Sequence, residues 1–224
     1  MREIVLDTET TGIDPATGHR LVEIGCIELV SGMRSGKFFH TYLNPERAVP
    51  EEAYRVHGLS LEFLQNHPTF PEKVDEFLDF VADAPLVIHN AAFDMKFINS
   101  ELSRCGFSSI SMDRVTDTLL IARKKYPGSP ANLDALCKRF GIDASHRTKH
   151  GALLDAELLS EVYIELLGGK QVALGLETSR AAAQKTIGDE VSAQRPARLF
   201  PPTEEELAEH QEMLKKIKNP LWAA

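Results

Sequence analysis

A change of hydrophobic period partway along the chain limits its possible folds more than any other feature. Up to about residue 49 the apolar residues come in short runs separated by turn chemistry. "EIVLDTET", "RLVEIGCIELV" and "GKFFHTYLNP" are spaced as three strands, the first leaving through the turn-rich "TTGIDPATGH" and the other two forming antiparallel neighbours in a meander. From about Pro50 the period changes to that of helices. "PEKVDEFLDFVAD" repeats Val74, Phe77, Leu78 and Val81, and "PLVIHN" is a short buried strand. "FDMKFINSELSRCG" is a helix ending at Gly106, "RVTDT" a strand end before helical "LLIARKKY", "NLDALCKRFG" a short helix closed by Gly141, and "GALLDAELLSEVYIELLGG" a long one closed by Gly168 and Gly169. Strands first, then strand–helix alternation, predicts an α/β fold: a mixed sheet with helices on its faces.

Two carboxylates interrupt this pattern where they are least expected. Ile4, Val5 and Leu6 lead a strand into the core, and the same strand then carries Asp7 and Glu9. Residues i and i+2 of a strand share a face, so the two acids project together with Thr8 on the other side. Their mutual repulsion calls for a cation between them or a proton on one of them. The plain alternative is a sheet edge where both face water. Asp94 and Asp155 argue against it. At 100° per residue, Asp94 shares a helical stripe with Phe97, Ile98 and Cys105, and Asp155 shares one with Leu159, Val162 and Leu166. Alone, Asp94 fits a helix cap; Asp155 is too far into its helix for that.

Four inward acids on three elements are costly unless they surround cations. All-oxygen donors suit Mg²⁺ or Mn²⁺ rather than zinc, and a pair of such ions serves phosphoryl chemistry. A general base for water would be His150, in "HGALLD", five residues before Asp155; His89, ending the buried strand near Asp94, is its rival. The chain's formal net charge is −8, and residues 1–169 carry that whole balance, with 17 Lys+Arg against 25 Asp+Glu. A phosphate-bearing partner therefore meets local groups or bound metal, not a basic field.

"DTETTG", "HNAAFD" and "HGALLDA" resemble, in order, the three motifs of the DEDDh family of 3′–5′ exonucleases over roughly residues 1–168. The resemblance implies an RNase H-like five-stranded sheet and two divalent cations, Mg²⁺ or Mn²⁺, held by Asp7, Glu9, Asp94 and Asp155 with His150 as the catalytic base. It also implies release of a 3′-terminal nucleotide as a nucleoside monophosphate. Asp7, Thr8, Glu9, Thr10, Asn90, Phe93, His150 and Asp155 would contact the DNA 3′ end. "RKKYPGSPANLDALCKRFGID" and "TKHGALLDAELLSEVY" are similar to the proofreading epsilon branch of the family, found in bacterial DNA polymerase III.

Three segments follow from this reading: an exonuclease domain over 1–169, a flexible linker over 170–202, and a C-terminal segment over 203–224 with a short helix begun by Thr203 and Glu206. "QVALGL" resembles a clamp-binding peptide, with Gln171 as polar anchor and Leu174 and Leu176 as apolar plugs. Leu207, Leu214 and Ile217 give the last helix a thin apolar face, followed by Leu221 and Trp222. That face either folds back on the first domain or meets a partner, which the resemblance makes the polymerase alpha subunit; a small theta-like subunit is a further partner it allows. Three scattered cysteines, no long apolar run and an N-terminus that is already a strand predict a cytoplasmic protein without leader or membrane span; the resemblance implies a place in a bacterial replisome near the nucleoid. Two other functions remain open: an RNA-trimming exonuclease of the same family, and a scaffold without catalysis.

Overall fold

The computed structural model describes residues 1–145, 147, 149–169 and 203–216. The sequence-predicted clamp peptide at Gln171, Leu174 and Leu176, the linker, and Ile217, Leu221 and Trp222 lie outside them. The chain divides into two units, Met1–Gly175 and Leu176–Ala224.

Five strands form one sheet in the order β3-β2-β1-β4-β5. β1 (Arg2–Thr10), β2 (Leu21–Val30) and β3 (Met33–Tyr42) make the expected antiparallel meander. β4 (Leu86–Ile88) and β5 (Val115–Asp117) then add in parallel beside β1. The helices are α1 (Glu51–His57), α2 (Leu61–Leu64), α3 (Phe70–Val81), α4 (Ala91–Arg104), α5 (Thr118–Lys125), α6 (Leu133–Phe140) and α7 (Ala152–Leu166). The helical region begins just after Pro50, as the sequence reading has it, with two helices, α1 and α2, that the reading does not name. α1 and α2 are short and mostly exposed, so they carry little of the apolar stripe that marks longer helices. α3 is sharper: Thr69 and Glu72 form a capping box and Pro71 occupies its first turn.

Helices cover both faces of the sheet, which explains the unbroken Ile4-Val5-Leu6 run, fully buried at all three positions. Ile4 and Leu6 join Phe77, Met95, Phe97 and Ile98 of α3 and α4 in one core, while Val5 joins Leu136 of α6 and Leu159 and Val162 of α7 in the other. Each such large side chain contributes about 1.5–3 kcal/mol by leaving water. Arg20, immediately before β2, clasps Glu101 of α4 through a two-bond fork, Nε to Oε1 at 2.6 Å and Nη2 to Oε2 at 2.9 Å.

The second unit contains α8 (Glu204–Lys216), opened by the reciprocal Thr203–Glu206 bonds that the sequence predicts. None of its described residues is buried. Among the described residues, no helix is long and apolar enough to cross a membrane.

Candidate active site

β1 carries Asp7 and Glu9 onto the face it shares with Val5, the face covered by α7. Asp7 is half-buried and Glu9 nearly fully so. Asp155 comes from one turn inside α7 and is 3% exposed. α7 lies so close to the sheet because Gly25 of β2, the register partner of Asp7, has no side chain: a methyl there would overlap the backbone of Ala152 and Leu153.

Asp94 approaches from the opposite face. Asn90, just before α4, is left-handed at φ 66°, and Asp117 at the end of β5 fixes it there. The Asp117 carboxylate accepts the N–H groups of Asn90 at 3.1 Å, Ala91 at 3.2 Å and Leu119 at 2.8 Å, so one side chain caps α4 and α5 together. Asp94, one turn in, is 3% exposed and accepts the Thr8 hydroxyl at 2.7 Å. Thr8 does point away from Asp7 and Glu9, and there it meets the third acid.

The two sides converge on one cavity of about 500 Å³. Its walls include Asp7, Thr8, Glu9, Asn90, Phe93, Asp94, His150 and Asp155, which unites every sequence-predicted catalytic and metal position. Thr10 instead lines a neighbouring, more apolar cavity of about 630 Å³ with Ile13, Val56 and His57, and Glu9 and Phe93 border both.

Burial raises Asp7, Glu9 and Asp94 before any charge does. Glu9 is pushed up to about 8, by burial first and then by Asp155, Glu23 and Asp94. Burial raises Asp94 to about 7, against bonds from Thr8 that lower it. Asp7 is held well above the usual carboxylate range by burial, then by Asp94, Glu9 and Asp155. A cage this reluctant to ionise alone fits positive charge. Among the described residues, Glu9, His150 and Asp155 offer ligand atoms within 4.8 Å of one another; Asp7 and Asp94 line the same cavity outside that trio. Hard oxygen donors dominate the set, which fits a divalent cation.

The two candidate bases differ clearly. His150 is half exposed in the loop before α7, with Nδ1 3.2 Å from Asp155 Oδ2. His89 is drawn into the structure: its Nδ1 pairs with Thr118 Oγ1 at 2.9 Å, and burial lowers its pKa. Two residues absent from the sequence reading belong here. Glu23, opposite Glu9 in register and 3% exposed, pairs with His40 Nε2 at 2.8 Å; only the strand register reveals it. Arg147 binds Asp155 through Nε at 2.5 Å and Nη2 at 2.7 Å. Its position three residues before His150 was the available signal.

Residues 4–163 match the Exonuclease (RNase_T) family. Over 222 residues the chain is 50% identical to the DNA polymerase III subunit epsilon of Rickettsia conorii (strain ATCC VR-613 / Malish 7), covering 97% of this chain and 96% of that protein. Over 237 residues it is 45% identical to the subunit of the same name from Escherichia coli (strain K12), covering 100% and 98%. The nuclease domain of 3′hExo, a DEDDh family member solved bound to rAMP, superimposes with a TM-score of 0.62 at 16% identity, over 74% of this chain and 91% of that one; this likeness concerns the fold.

Proposed function

The chain belongs to the Exonuclease (RNase_T) family and is a hydrolase of that class; from this premise we propose that it is the epsilon-type proofreading subunit of a DNA polymerase III, a 3′–5′ exonuclease that removes mispaired primer ends. The observation that carries the reading is the convergence of Asp7, Glu9, Asp94, Asp155 and His150 on one cavity from three separate elements and a loop. The full-length similarity to subunits of that name supports it.

Exonucleases of this family depend on divalent metal. Asp7, Glu9, Asp94 and Asp155 would hold two ions, Mg²⁺ or Mn²⁺, which would supply Lewis acidity at the phosphate and activate a water. His150 takes the proton of that water as it attacks the terminal phosphodiester. The bond to the 3′ oxygen of the preceding nucleotide breaks, and a nucleoside 5′-monophosphate leaves. The apolar cavity beside the acids receives the terminal nucleoside, with Thr10 and Phe93 on its walls and Thr8, Glu9 and Asn90 on the phosphate side. Mispaired ends separate at lower cost, so selectivity comes from fraying rather than base reading, which suits a domain with no basic field.

The C-terminal segment, residues 203–224, serves as the tether to the polymerase alpha subunit, residues 171–176 bind the sliding clamp, and a theta-like subunit is a further partner. Tethering keeps the nuclease near the primer end without fixing it there. The direct test is digestion of a labelled primer with a 3′ mispair by the purified protein. DNA digestion that is faster at the mispair, and lost with chelator or Asp7→Ala, supports the reading. Preference for RNA makes the protein a trimming enzyme, and absence of digestion makes it a scaffold. Replacing Gln171 and Leu174 by Ala leaves nuclease activity intact and weakens clamp binding in a titration; unchanged affinity removes that peptide from the proposal.

A further inference from the structure

Among the described residues lining the catalytic cavity, five carboxyls (Asp7, Glu9, Asp94, Asp134 and Asp155) face a single guanidinium, that of Arg147. The Arg147 side chain is only 9% exposed, unusual for an arginine on a loop. It occupies both oxygens of Asp155 in a planar fork. Its Nη2 also lies 2.6 Å from His150 Nδ1, and its Nη1 binds Asp134 at the cavity rim at 2.5 Å. A guanidinium has only protons to give, so in this contact His150 Nδ1 can only accept. One arginine thus engages the lone pairs of an acid expected to hold metal and of the histidine expected to accept a proton.

We infer that Arg147 is the internal counter-ion of the carboxylate cage, competing with divalent cation for Asp155 and holding His150 idle until a cation enters. The inference rests on the metal-dependent reading above. A doubly charged ion and a guanidinium repel each other, and both need the same carboxylate face, so binding of one expels the other. Asp134, two-thirds exposed, keeps a hold on the displaced guanidinium at the rim. Arg147 therefore sets how much Mg²⁺ or Mn²⁺ the site requires and balances the acids in its absence.

The test is binding of Mn²⁺ or Mg²⁺ alone, without DNA, by calorimetry on the full chain. Arg147→Gln, which keeps length and loses charge, binds on the order of tenfold more tightly. Arg147→Lys, which keeps charge and loses the fork, falls between the two. Equal or weaker uptake by Arg147→Gln overturns the inference alone; no uptake by any of the three proteins overturns the metal reading and this inference with it. The unsubstituted protein gives a readout independent of how the variants fold. In its proton–nitrogen spectrum, the Arg147 Nε–H resonance shifts as cation is added, and a resonance unmoved through saturation overturns the inference.

Discussion

Two buried arginine–carboxylate forks stand on opposite sides of this sheet with nearly the same geometry. Arg20 meets Glu101 at 2.6 and 2.9 Å, and Arg147 meets Asp155 at 2.5 and 2.7 Å. Both carboxylates are almost inaccessible. Their surroundings differ. Glu101 also accepts the Leu21 N–H, Arg20 donates its backbone N–H to Thr11, and the other acid near Arg20 is Glu46, largely exposed. The first fork therefore closes a seam between β2 and α4. Asp155 sits among Asp7, Glu9 and Asp94. The same bond is a clasp where the one other acid nearby is largely exposed, and exchangeable where several buried acids compete for it. Pair geometry alone does not assign a role; the charges around the pair do.

The largest effect separates the two carboxylates by activity. Asp155→Asn lowers exonuclease turnover by ~10⁴-fold, or about 5 kcal/mol of barrier, while circular dichroism stays unchanged. Turnover within tenfold of the parent breaks the distinction. Next comes stability. Arg20→Ala leaves Glu101 buried without its partner and costs about 3–5 kcal/mol in urea unfolding, with cation affinity unaltered; a loss below 1 kcal/mol means that the Arg20 fork is as expendable as a surface pair.

The smallest effect concerns pH and sharpens the contrast. The raised carboxyls bind protons in the folded, metal-free protein at pH values where the unfolded chain has released them. Stability then falls as pH rises through their folded values, about 7 for Asp94 and about 8 for Glu9. His57 and His89, lowered by burial, act oppositely but only below their ordinary 6.5. Between pH 6.5 and 8 the metal-free protein therefore loses about 2 kcal/mol, and saturating Mg²⁺ removes the slope. A flat profile without metal shows that the cage is already neutralised.

The sequence made the strands, the long helices and the inward acids legible because each follows from a local rule: period, cap or stripe. Asp94 and Asp155 lay where 100° steps put them. What stayed hidden depended on contacts between segments distant in sequence. Glu23 belongs beside Glu9 through register alone, and α1 lacks a stripe of its own yet lines the apolar cavity with Val56 and His57. Arg147 stands in "HRTKH" with no periodic pattern to mark it; folding brings it against Asp155.

Gly25 has a consequence for how finely this centre is adjusted. Where α7 crosses β2, main chain rests on main chain, with no side chain between them to compress or repack. The gap between Asp155 and the acids of β1 is thus gauged by the rigid part of the polymer, like a caliper closed on its own jaws. A single added methyl beneath the helix would wedge that gauge open from outside the cavity, and a shift of roughly an ångström at such a centre can cost 10²-fold in rate. The chain's smallest residue, itself without a functional group, sets the tolerance of its chemistry.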